Sequence, residues 1–231
     1  MGSGSGATLG GITLGLDKAM RAGAVLDPRS TSIVGIECTR PMFEQLEDFG
    51  FEALRRLNEV SRGVLPSQPV SIETPEWQYL SPGQLTLVYS GTAKAVQALE
   101  FAPENTDGLT VVTANYSWHR IPTVVKDSLV KTILGKSKNT VFIIADLVQN
   151  ASVVNRRYFN FRDNGLLNCG NVNLDFVLDT NRVEHIELNE TTAPAAMDPN
   201  LARKIGQGTT SDSIFRIGYK GDLAKSLVQA W

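Results

Sequence analysis

Residues 109–147 read LTVVTANYSWHRIPTVVKDSLVKTILGKSKNTVFIIADL, and their pattern decides the fold class. LTVVTANY is rich in β-branched residues and predicts a strand. TVVKDSLVKTIL predicts a helix, and TVFIIADL predicts a fully apolar strand. Such a strand is usually covered on both faces. Strand, helix and strand of these lengths permit a parallel, right-handed crossover.

Toward the N-terminus, GTAKAVQALEF predicts a short helix with Thr92 as N-cap, and QLTLVYS predicts a strand. Pro66, Pro69, Pro75 and Pro82 punctuate a loop that leaves room for a short edge strand at VSIE. TSIVGIECT predicts another strand. The clearest helix is RPMFEQLEDFGFEALRRLNEVSRG, in which Leu46, Phe49, Ala53, Leu57 and Val60 follow helical spacing. Pro41 suits its first turn and Gly63 its end, while Gly50 is a point where it would kink or split.

Toward the C-terminus, VVNRRYFNFR, NVNLDFVLD and RVEHIEL predict three strands, the first two joined by a turn at Asn164-Gly165. In the second, Val172, Leu174, Phe176 and Leu178 alternate with Asn173 and Asp175, which predicts one buried and one wet face. SIFRIGY predicts a last strand. GDLAKSLVQAW predicts a terminal helix presenting Leu223, Leu227 and Trp231.

The expected fold is therefore α+β with a mixed sheet, α/β-like to about residue 150 and β-rich after it. Residues 1–30 are expected to be a flexible, Gly-rich arm, within which LGLDKAMRAGAVLDP allows a short helix burying Leu16, Met20 and Ala24 and ended by Pro28. Residues 31–231 are expected to form a single α+β domain, with a subdivision allowed near 150.

Composition excludes more than it assigns. The 231 residues are 42% hydrophobic and 20% charged, enough for a core without staples. A net charge of −2 gives no global field for nucleic acid or an anionic membrane. Cys38 and Cys169 are too few for a disulfide scaffold. No run of eighteen apolar residues predicts a membrane span, and the start lacks the pattern of a secretory signal. The glycosylation sequons at Asn115, Asn150 and Asn189 are then chance matches. The expected setting is the cytoplasm or a virion.

Each candidate site has a plainer alternative. The opening MGSGSGATLGGITLG departs from a myristoylation signal at Gly6. Gly4 and Gly6 start a dinucleotide fingerprint whose third position is Leu9, with no strand ahead. Linker scar, disordered tail and docking arm remain as readings. Gly135-Lys136-Ser137 resembles the end of a phosphate loop, but the first glycine would fall at Val130, and the order is helix then strand. Asp146 ends an apolar strand, where Asp107 and Asp127 would have to join it to hold a metal. Cys38 with His119 or His185 would be a nucleophile and base, against the plainer reading of a buried thiol. Trp77, Tyr79, Tyr116 and Trp118 lie in or beside Pro-containing loops and suit partner contact or loop anchoring.

With no catalytic constellation, the expected function is a non-enzymatic structural subunit of a multi-protein assembly, such as a capsid, tail or baseplate component of a virus or bacteriophage. The alternatives are an enzyme with carboxylates at strand ends, of metal-assisted hydrolase type, and a ligand-binding module using aromatic loops. The candidate assembly contacts are Leu9, Ile12, Leu14, Leu16, Met20, Trp77, Tyr79 and Trp118. The expected partners are other protein subunits, same or different. No cofactor, metal, membrane, nucleic acid or small-molecule ligand is expected.

Overall fold

A computed structural model describes residues 7–23, 33–61, 70–72, 85–89, 91, 94, 104–115, 118, 121, 123–147, 174–188 and 213–230. The chain divides into two compact units, Met1–Pro103 and Glu104–Trp231. The sequence reading drew one domain from residue 31 and a subdivision near 150.

In the first unit, helix α1 spans Ala7–Arg21, where a flexible arm was expected. Glycine makes a helix costly, but α1 packs along helix α2 (Arg40–Ser61). Leu9, Phe43, Leu46 and Leu87 form one buried cluster. Gly10 sits at the closest approach, since a Cβ there would meet the Phe49 ring. Tertiary burial thus offsets poor propensity. Helix α2 runs through Gly50 as one element. Strands β1 (Ile33–Glu37), β2 (Val70–Ile72) and β3 (Leu85–Tyr89) form a parallel sheet in the order β1-β3-β2.

In the second unit, β4 (Asn105–Asn115) runs parallel to β5 (Ser137–Leu147), with helix α3 (Thr123–Lys136) between them in sequence. This is the crossover that the sequence permits. The register shifts between Asn105 and Leu109, where Asn105 Oδ1 accepts the Gly108 N–H at 3.0 Å. Strand β7 (Ser213–Lys220) lies between β5 and β6 (Glu184–Glu187) and is antiparallel to both, in the order β4-β5-β7-β6. The fold therefore mixes helices and sheets, and this sheet is itself mixed. Helix α5 (Asp222–Gln229) covers β5 and β7. Val141, Ile217, Ala224 and Val228 close a core there.

Two further elements differ from expectation. Residues Leu174–Thr180 form helix α4, not a strand. The apolar positions alternate, but Leu174, Val177 and Leu178 also stand at helical spacing, and Val177 and Leu178 are both buried. Helix α4 then ends in a left-handed Arg182, with the Val183 N–H donating to Leu178 O and the Arg182 N–H to Asp179 O. Helix α5 buries Ala224 and Val228, one residue on from the expected face, and Leu223 is exposed. The expected strand over VVNRRYFNFR, and the side chain of Phe176, lie outside the described residues.

Candidate functional site

Parallel pairing brings the C-terminal ends of β1 and β3 together, with Glu37 in register with Tyr89. Strand ends of this kind form ligand crevices in α/β sheets. Glu37 is buried, at 7% exposure. Its Oε1 accepts N–H bonds from Cys38 and Thr39, both at 2.9 Å. Thr39 O in turn accepts from Met42 and Phe43, at 3.1 and 2.9 Å, and opens α2. The carboxylate thus lies beside the N-terminal end of a 22-residue helix. Tyr89 packs against Phe43, with ring centroids 5.4 Å apart, and the Arg40 guanidinium lies 5.2 Å from the Tyr89 centroid. Arg40 also pairs with Glu44 at 3.3 Å. Cys38 is exposed beside them.

The second unit carries two further polar groupings. One is an open groove lined by Asp179, Arg182, Val183, Glu184, His185 and Tyr219. His185 Nδ1 is 3.7 Å from Asp179 Oδ1. Burial, and then the neighbouring Glu184, hold the Tyr219 hydroxyl above its ordinary pKa. The other is a buried pair, Trp118 and Lys126.

The residues singled out in the sequence are scattered. Leu9 is in the first unit's core; Ile12, Leu16 and Met20 are half-buried on α1; Leu14 is exposed. Trp118 is buried, and Trp77 and Tyr79 lie outside the described residues. Gly135-Lys136-Ser137 is the junction of α3 and β5, the end of a helix and not the start of one that a phosphate loop opens. Asp127 is engaged by Lys131 at 2.6 Å and by Asn181 at 2.9 Å. Among the described residues, no three His, Cys, Asp or Glu side chains stand together as metal ligands. Cys38 belongs to the first unit and His185 to the second, and His119 lies outside the described residues. None of the described helices is long and apolar enough to cross a membrane.

Glu37 was missed in the sequence. The signal was an acid closing an apolar strand, after a Gly-rich stretch and a helix. The Gly-rich stretch also has the G-x-G-x-x-A spacing in another register, at Gly2, Gly4 and Ala7, though without the preceding strand of the full fingerprint.

No family model matches the chain, and no curated protein is similar to it. Solved structures are similar at low identity. CurJ carbon methyltransferase is 11% identical with a TM-score of 0.44, over 96% of this chain and 47% of that one, so this chain spans about half of CurJ. The plantazolicin methyltransferase BamL, in complex with a triazolic desmethylPZN analogue and SAH, is 10% identical with a TM-score of 0.41, over 92% and 84%. A cyclopropane-fatty-acyl-phospholipid synthase-like protein from Lactobacillus casei is 12% identical with a TM-score of 0.40, over 90% and 89%. These are enzymes and not particle components, and on that finding the expectation of a non-enzymatic virus or bacteriophage subunit is withdrawn. The expectation of no small-molecule ligand is withdrawn with it, because BamL is complexed with SAH and a substrate analogue. The physical reason is that parallel strands joined by helices bind ligands at their ends, with residues that no local motif brings together.

Proposed function

We propose that the chain is an enzyme whose first unit holds a nucleoside-type cofactor at the C-terminal end of β1, with Glu37 accepting the ribose hydroxyls. Methyl transfer is the reaction named for the similar solved structures, and it is the class to test first. The support comes from this chain's own order of elements: a Gly-rich stretch, helix α1, then a strand that ends in a buried acid. Glu37 is the single observation that carries the reading. A carboxylate offers about four acceptor sites, so beside the two N–H bonds on Oε1 and a further interaction within the protein Glu37 could still accept from a vicinal diol, which supplies two donors. The N-terminus of the 15-residue α1 suits the carboxylate of an amino-acid cofactor. S-adenosylmethionine, when bound, would supply a methyl group on a sulfonium sulfur. The protein's own part is to orient the ribose at Glu37 and the carboxylate at α1.

Equilibrium dialysis against radiolabelled S-adenosylmethionine tests this. Glu37→Gln keeps an oxygen for the Cys38 and Thr39 N–H groups and removes the charge. Its affinity should fall by about tenfold or more, roughly 1.4 kcal/mol, with the melting temperature little changed. No binding by the wild type, or equal binding by both proteins, would overturn the reading.

A further inference from the structure

Helix α4 closes on a residue that its backbone does not favour. Arg182 is left-handed, with φ 55, where helices commonly end in glycine. Backbone strain of this kind collects at ligand-binding positions. The Arg182 side chain is exposed, and its guanidinium makes no ion pair or hydrogen bond with any described residue. It lines the open groove at the start of β6. The groove holds about 560 Å³, within the roughly 300–1,000 Å³ of small-molecule sites. One acid of this groove is engaged: Glu184 accepts from the Tyr219 hydroxyl and lies 3.6 Å from Lys225 Nζ. Asp179 is not engaged in this way. Among the described residues its carboxylate meets only His185 Nδ1, at 3.7 Å, which is beyond hydrogen-bond length. The Arg182 N–H donates to Asp179 O at 2.9 Å, yet the two side chains do not pair with each other. One groove therefore presents an open cation and an open anion, with Val183 and Tyr219 between the polar groups of its lining.

We infer that this groove binds a zwitterionic α-amino acid, with its carboxylate on the Arg182 guanidinium and its ammonium on the Asp179 carboxylate. Charge selects the class. A simple anion would satisfy Arg182 but face Asp179, and a simple cation would do the reverse. A zwitterion meets both groups and adds no net charge. The guanidinium offers a fork of donors that matches a carboxylate, and an ammonium offers three donors to an acceptor-only acid. With Glu184 engaged, no further open carboxylate remains for a basic side chain, and no second guanidinium or ammonium lines the groove for an acidic one. Val183 and Tyr219 suit an apolar side chain instead. The site belongs to the second unit alone and does not rest on the cofactor reading.

Proton magnetic resonance of the whole chain tests the site. The chain has two histidines, and the signal lost in His185→Gln assigns His185, which stands beside Asp179. The probe is L-leucine. Two analogues serve as further arms: 4-methylpentanoate lacks the ammonium, and 3-methylbutylamine lacks the carboxylate. Leucine should shift the His185 ring signal saturably, and each analogue should bind about tenfold more weakly or worse. Arg182→Gly should weaken leucine binding about tenfold or more while the melting temperature stays equal or rises, because glycine suits the left-handed position. Asp179→Asn should weaken binding likewise. Absence of a saturable leucine shift in the wild type overturns the site. So does leucine binding of unchanged strength in Arg182→Gly or Asp179→Asn, or an analogue that binds as tightly as leucine.

Discussion

At the scale of single residues, Asn181 joins two helices. It is buried, and its Nδ2 donates to Asp127 Oδ1 on α3 at 2.9 Å and to Val177 O on α4 at 2.8 Å. Asn181→Ala should cost about 1–3 kcal/mol by chemical denaturation, since it removes two side-chain hydrogen bonds, one of them to a carboxylate. The pH dependence has a definite sign. Lys131 first, and then Asn181, hold the Asp127 carboxyl below its ordinary value of 3.8. A carboxyl lowered by folding stabilises the protein above its unfolded pKa, and that contribution is lost as pH falls through the folded one. The gap between wild type and Asn181→Ala should therefore narrow in acid below that value, while the part owed to Val177 O persists. Equal gaps at neutral and acid pH would show that the Asp127 bond contributes nothing. Glu37 differs in kind, because its local partners already explain its burial. Its position at a strand end is what supports the role proposed for it.

At the scale of elements, the ends of helices carry the clearest tests. Arg182 adopts φ 55 as the left-handed residue that closes α4, a conformation that costs an L-residue about 1–2 kcal/mol. Arg182→Gly should be neutral or raise the melting temperature, with a gain of up to roughly 1 kcal/mol. Gly221, at φ 94 between β7 and α5, is the opposite case: a Cβ would strike Lys138 O. Gly221→Ala should destabilise by roughly 1–3 kcal/mol, read from the denaturation midpoint. The crossover from β4 to β5 was legible because its periods are long and distinct. The stretch that became α4 was not, because seven residues satisfy alternation and helical spacing at once. The N-terminal half of α1 was hidden by Gly10 and Gly11, whose poor propensity is offset by packing of Leu9 against Phe43, Leu46 and Leu87; its second half overlaps the short helix the sequence allowed.

At the scale of the molecule, composition excluded a global basic field and a disulfide scaffold but left the class of function open. Strand pairing supplies what composition lacks. Glu37 and Tyr89 are 52 positions apart in sequence and become neighbours only through the register of β1 and β3. No motif search joins them, whereas Gly2, Gly4 and Ala7 could have been read from the chain alone. The central claim is that a nucleoside-type ligand sits at the end of β1. Hydrogen–deuterium exchange with and without saturating S-adenosylhomocysteine measures this most directly. The expected result is slower exchange at the amides of Cys38 and Thr39 and in the first turn of α1. Ligand-dependent protection confined to Glu104–Trp231, with none at Cys38, Thr39 or α1, would contradict it.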